Sequence, residues 1–497
     1  MNTDTLHAGH LVMVDIEGTS LDDSTAAFLR EHHIRAVCLF RKNIGSEDEV
    51  RRLVADLREV MGPAALVAID QEGGSVARIT FLPHAPAAMA LGCANDEALA
   101  ESVGAAVARG LRSLGINWNF APVLDVNNNP ANPVIAERSF GEDPQRVARL
   151  AGAWMRGSLR EGVACCVKHF PGHGDTHVDS HHALPTVDKS LAELESLELV
   201  PFRALAGVAP AVMTAHIVYP QLDAEHPATL SRAVLTGVLR ERLGYEGVVI
   251  TDALMMKAVH ERYGHARAAV LTLQAGADLV LAQGSRAEQA QAVQAVAQAI
   301  EHGTLPLARV REARARIDAL AASFPIDPRP CDDAQRLADD QLMRGASARG
   351  LLAVGGAQPP GRAQRLRVVT QRAVPGDGVS EAGPGGELVR ALFRGFDDVE
   401  VVQVDSLDRL DASQLPRDGR LLVLASNHRA RYGANAAAWR PDLHLVLWNP
   451  FQVFDIAAPA VVTWGYGEGA LAALRDWLEG RVPAATQAPV ALAPRAA

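Results

Sequence analysis

The segment KHFPGHGDTHVDSHHALP, from Lys168 to Pro185, is the densest run of titratable side chains in the chain. Its histidines His169, His173, His177 and His181 recur every fourth residue, a spacing that on a helix would line a metal-binding stripe. Pro171, Gly172 and Gly174 interrupt any such helix. The stretch therefore reads as a loop, and neither a metal nor another cofactor is expected. Imidazoles titrate near neutrality, so a loop that crowds His, Asp and Lys together suits proton transfer. A merely solvated loop would not need so many turn-forcing residues beside titratable groups. Within it Asp179 precedes His181 by two residues, close enough for the carboxylate to orient the ring, raise its basicity and stabilise the imidazolium. Alone, that pairing is a common accident of sequence.

Such a loop needs a frame. Between Leu11 and Gln283 eight short apolar runs alternate with helical patterns: LVMVDI, RAVCLF, ALVAID, NWNFAPV, CCVKHF, AVMTAH, GVVITD and DLVLAQ. Strands buried on both faces read as continuous apolar segments, and eight of them separated by helices predict a TIM (β/α)8 barrel. Several runs end in a polar residue, Asp70, His169, His216 or Asp252. The C-terminal rim of a barrel is where such ends collect and where active sites are built. Any one of them could simply cap the next helix; four together favour a site.

The barrel is expected over residues 1–325. The Pro- and Asp-rich PIDPRPCDD then opens a linker placed at 326–345. A second alternation (GLLAVGG, LRVVTQ, VEVVQV, LLVLAS, LHLVLWNP, AVVTWGY) predicts a smaller doubly wound α/β sandwich domain over 346–481. The Ala- and Pro-rich residues 482–497 read as a disordered tail.

A net charge of −10 over 497 residues argues against a nucleic-acid partner and against an anionic membrane surface. No stretch reaches the ~18 apolar residues of a membrane span, and Met1 to His10 lack a secretory pattern. Five scattered cysteines without a C-x-x-C pair suit a reducing compartment. A cytoplasmic location is the expectation.

Four motifs then come in order: DQEGGSVAR from Asp70, ERSFGEDP from Glu137, the KHFPGHGDT…DSH loop, and GVVITDALMM from Gly247. With them the chain resembles the β-N-acetylglucosaminidases of glycoside hydrolase family 3, in their two-domain form. The resemblance implies a retaining enzyme acting on β-linked GlcNAc glycosides. It implies Asp252 as the nucleophile, His181 as the acid/base with Asp179 as its partner, and Asp70, Arg78, Arg138, Lys168 and His169 as hydrogen-bonding residues around the sugar. The β-glucosidases of the family resemble a pattern with Trp after the nucleophile; here Ala253 follows Asp252 and the DSH loop is present, which places the chain on the aminosugar side. Two other readings stand beside this one. A neutral imidazole does not repel phosphate, so phosphorolysis of the same glycosides is chemically acceptable. An inactive sugar-binding protein is the third, although it would need no nucleophile opposed to a proton donor.

Overall fold

The structure, a computed structural model, describes residues 6–180, 183–376, 378–411, 413, 415–416 and 418–492. Strands β1 (Val12–Asp15), β2 (Ala36–Leu39), β3 (Leu66–Ile69), β4 (Trp118–Asn119), β5 (Ala164–Phe170), β6 (Ala211–Thr214), β7 (Val248–Ile250) and β8 (Val280–Ala282) coincide with the eight apolar runs. Each pairs in parallel with its sequence neighbour, and β8 returns to β1 through Val12–Val280, Met13–Leu281 and Val14–Ala282. The remaining seam, β7 to β8, is closed by the Ile250–Leu279 bridge and by Leu281 N–H donating to the Thr251 hydroxyl at 2.9 Å. The result is a closed (β/α)8 barrel, and every residue of these eight strands is buried. The outer helices follow from local signals. Glu47–Met61, for example, starts at a Ser46–Glu49 capping box and buries Val50, Leu53, Val54, Leu57 and Met61, a 3.6-residue stripe worth about 1.5–3 kcal/mol per side chain in removed apolar surface.

The second unit is a six-stranded mixed sheet. Its strands are β9 (Leu352–Val354), β10 (Arg365–Gln371), β11 (Asp398–Val404), β12 (Leu421–Ser426), β13 (Leu443–Val446) and β14 (Ala460–Val462), in the order β9-β14-β13-β12-β10-β11. All pairs are parallel except β9 with β14. Two expectations need correction. The second half of the expected linker is helical: Asp333–Gly350, capped by the Asp332 carboxylate, buries Asp339, Met343 and Ala346 and leads directly into β9. The expected disordered tail is packed down as far as 492. Ala353 N–H donates to the Ala485 carbonyl at 2.8 Å, and Val490 and Leu492 are buried against both units. Composition suggested disorder there because Ala and Pro carry little apolar surface, yet a sheet edge supplies backbone partners to any residue type. No helix among the described residues is long and apolar enough to cross a membrane.

Candidate active site

At the C-terminal ends of the strands a cavity of about 370 Å³ is lined by Asp70, Arg78, Arg138, Lys168, His169 and Asp252, six of the residues singled out from sequence. Ser180, next to Asp179, lines it too. Asp179 is half-buried, with its carbonyl accepting from Ala183 N–H at 3.0 Å. His181 lies outside the described residues.

The network begins at Lys168, near the end of β5 and almost fully buried. Its ammonium is 2.6 Å from Asp70 Oδ1 and 2.7 Å from Glu72 Oε1. Glu72 also accepts from Arg138, Nε to Oε2 at 2.9 Å and Nη2 to Oε1 at 2.8 Å, a bidentate pair. Burial opposes ionisation of Glu72, but Arg138 and Lys168 more than offset it, and its carboxyl stays well below the usual range. Despite burial, Asp70 and Glu72 likewise hold Lys168 above its ordinary value. Glu72 therefore fixes two cations, while Asp70, whose side chain is 17% exposed against 7% for Glu72, is the carboxylate presented to the cavity.

His169 is oriented from behind. Its Nδ1 lies 2.6 Å from Asp125 Oδ2, and Asp125 Oδ1 accepts the His169 and His173 backbone N–H groups at 3.1 and 2.6 Å. The Asp125 carboxyl lies below its usual value: burial works against this, and the His169 charge with its hydrogen bond prevails. The ring is thus held with Nδ1–H toward the carboxylate, leaving Nε2 for the cavity side. His173 is locked between the Thr176 hydroxyl at 2.9 Å and the Ser180 hydroxyl at 3.0 Å, and burial lowers it to about 4. It is a neutral structural ring that ties the start of the loop to its end. The described residues of the loop are not helical, as its Gly and Pro content predicts. Gly174 permits the fold, since a Cβ there would stand 1.7 Å from the Val126 carbonyl oxygen.

Asp252 sits two residues past β7, its Oδ1 accepting from Ala253 N–H at 2.8 Å. His216 belongs to this corner but does not line the cavity. Fully buried, it reaches the Thr229 hydroxyl at 2.8 Å and the Ala253 carbonyl at 3.0 Å, so it holds the backbone beside Asp252.

Glu72 and Asp125 escaped selection from sequence, although Glu72 stands inside a quoted motif and Asp125 just follows the fourth apolar run; His173 stands out in the sequence only as one of the four spaced histidines. The second unit supplies what no motif signals. Gly378 and Val379 line the cavity, and the Arg78 guanidinium donates to the Val379 carbonyl at 2.9 Å and to Glu381 Oε1 at 2.8 Å. Trp448 also reaches across, its indole N–H donating to buried Glu137 Oε1 at 2.8 Å beside Arg138.

A parallel barrel with a charged cavity at its C-terminal rim is the architecture of a barrel enzyme. The family described as "Glycosyl hydrolase family 3 N terminal domain" matches residues 5–320, and the chain belongs to this family. It is 40% identical over 278 residues to a beta-hexosaminidase of Chromobacterium violaceum, covering 54% of this chain and 77% of that one. A beta-hexosaminidase of Pseudomonas aeruginosa is 39% identical over 287 residues, covering 57% and 86%. Among solved structures, a glycoside hydrolase family 3 beta-N-acetylglucosaminidase from Paenibacillus sp. str. FPU-7 superposes over 99% of both chains with a TM-score of 0.90 and 33% identity.

Proposed function

We propose that this protein is a retaining, exo-acting β-N-acetylglucosaminidase that removes terminal GlcNAc from β-glycosides. The observation that carries the reading is one cavity bounded by the Asp252 carboxylate, by the Asp70–Lys168–Glu72–Arg138 network, and by Ser180 at the end of the DSH loop. At about 370 Å³ it suits one sugar ring. In this mechanism Asp252 attacks the anomeric carbon as the glycosidic C–O bond breaks, giving a covalent glycosyl-enzyme. His181, held by Asp179, delivers its proton to the departing oxygen and then takes one from the water that releases GlcNAc with net retention. Asp70, Arg78, Arg138, Lys168 and His169 hold the sugar hydroxyls while positive charge develops on the ring. The beta-hexosaminidase names of the relatives support an aminosugar substrate.

A cytoplasmic setting goes with this reading, supported by cysteines that are all free thiols; GlcNAc-bearing cell-wall fragments are the substrates it suits. The test compares kcat/KM on chromogenic β-GlcNAc and β-glucose substrates, with products analysed with and without phosphate. A site built to hydrogen-bond the acetamido group predicts a preference of about 10⁴-fold and free GlcNAc as product. Comparable rates on the two sugars sink the aminosugar assignment, and a GlcNAc phosphate ester would make the enzyme a phosphorylase.

A further inference from the structure

Away from the cavity network, His260, His265 and Glu288 come together with one ligand atom from each inside 4.8 Å of the others. Five residues apart on a regular helix, two side chains point about 140° away from each other. The helix Lys257–Ala275 is broken between these two, at Gly264, with φ 66° and ψ 166°. Glycine reaches that conformation at little cost. Nothing lies within 4 Å of the place its Cβ would take, so the backbone angle, not crowding, calls for glycine. The kink turns both rings to one side, bringing their Nδ1 atoms to 3.0 Å.

The protonation pattern is also set. His265, with a side chain only 2% exposed, has Nε2 at 2.6 Å from the Gln283 carbonyl, so Nε2 carries the hydrogen and the Nδ1 lone pair faces the cluster. A carbonyl behind the distal nitrogen is how metal-ligating imidazoles are commonly held. Glu288 Oε2 is anchored by the Ser285 N–H and hydroxyl at 2.8 and 2.7 Å. Its Oε1 turns toward the rings, 3.9 Å from His260 Nε2 and 3.8 Å from His265 Nδ1.

We propose that His260, His265 and Glu288 form a binding site for one divalent transition-metal ion of the zinc class. Two imidazoles and one carboxylate suit such an ion better than magnesium or calcium, which prefer all-oxygen sets. Ligand atoms around tetrahedral zinc stand about 3.3 Å apart; with one atom from each residue already inside 4.8 Å of the others, side-chain adjustment alone would complete the shell. The His260 and Glu288 side chains are 41% and 34% exposed, which opens the fourth position to water. The ion braces the kinked helix against the Gln283 turn. Met255, Met256, Lys257 and Gln283 line the catalytic cavity, so the brace stabilises two of its walls from outside.

The test is a titration of the chelator-treated full chain with Co²⁺, read by visible absorption, and with Zn²⁺, read by thermal unfolding. One equivalent should produce the intense bands of four-coordinate cobalt, displaced by Zn²⁺ and not by Mg²⁺. His260→Ala and Glu288→Gln, both at partly exposed positions that tolerate replacement, should each weaken binding by about 100-fold or more and remove the Zn²⁺-induced rise in Tm. Absence of the bands from the wild type overturns the proposal. So does their persistence in both variants, which would put the ion on other histidines.

Discussion

Arg78 of the barrel and Glu381 of the second unit form an ion pair at 2.8 Å, with side chains 9% and 25% exposed. Arg78 Nη2 is also 3.8 Å from Asp70 Oδ2, so the second unit reaches the Asp70 carboxylate of the cavity through a single guanidinium. The barrel's charged wall is thus completed from outside the barrel.

Replacing Glu381 should therefore be felt at the site. Glu381→Ala is expected to raise KM by about 10-fold with a smaller change in kcat, in line with losing one partly buried charged hydrogen bond. In an Arg78→Ala background the same replacement should add little, because the two act as a unit. Steady-state kinetics on the four proteins measures the coupling; fully multiplicative effects would show that Glu381 does not act through Arg78.

Glu72 is predicted to matter for stability as much as for activity. Glu72→Gln leaves Lys168 and Arg138 buried with one carboxylate fewer, a change that costs about 3–5 kcal/mol when a buried pair is broken. Because its folded pKa is depressed, the carboxylate's contribution is present above its unfolded value and is lost as pH falls. Urea unfolding at neutral pH should show a clearly lower midpoint for Glu72→Gln than for Asp70→Asn, whose position is more exposed. Equal midpoints would contradict the ranking.

For the chemistry, Asp252→Ala should lower kcat by about 10⁴-fold or more, and a fluorinated aminosugar should label the peptide containing Thr251-Asp252-Ala253. His181→Ala should slow poor leaving groups far more than nitrophenolates, since only a basic oxygen needs a proton in the transition state. On the proposed pairing with His181, Asp179→Asn takes away the charge that would stabilise the imidazolium, so the histidine should lose its proton at lower pH and the alkaline limb of the rate profile should move down. A uniform modest loss with His181→Ala, or an unmoved profile with Asp179→Asn, would place the proton donor elsewhere.

Buried neutral histidines predict an acid sensitivity that begins before the ordinary carboxylate range. Burial lowers His173 to about 4, and His10 and His444 to about 3. Unfolded, each takes its proton near 6.5, so stability is full above that pH and falls as pH drops toward the folded values. The slope is up to about 1.4 kcal/mol per pH unit for each ring. His444→Gln should reduce the slope between pH 6.5 and 5 by close to one proton in equilibrium unfolding; an unchanged slope would mean that ring does not titrate on unfolding.

Much of this was readable along the chain. The eight barrel strands announce themselves because each is buried on both faces and reads as an unbroken apolar run, as RAVCLF does around Ala36–Leu39. Asp70, Arg78, Arg138, Lys168, His169 and Asp252 could be named from motifs, and the structure brings all six to one cavity. The linker and tail were misread for one shared reason: composition reports what a segment can do alone, whereas Asp333–Gly350 and residues 482–492 are ordered by surfaces they meet on other elements.

By itself, then, the sequence determined the strand and helix alternation, the two-unit order and the residue types of the rim, since each rests on burial periodicity or on side chains close together in the chain. Tertiary structure alone decided which of those side chains hold one another. Lys168 meets Asp70 and Glu72 only because β3 and β5, with β4 between them, end at the same rim of a closed barrel. His260 meets His265 only because Gly264 breaks a helix. Arg78 meets Glu381 across 303 residues of chain; an ion pair depends on distance in space, and that separation leaves no local pattern from which the distance could be read.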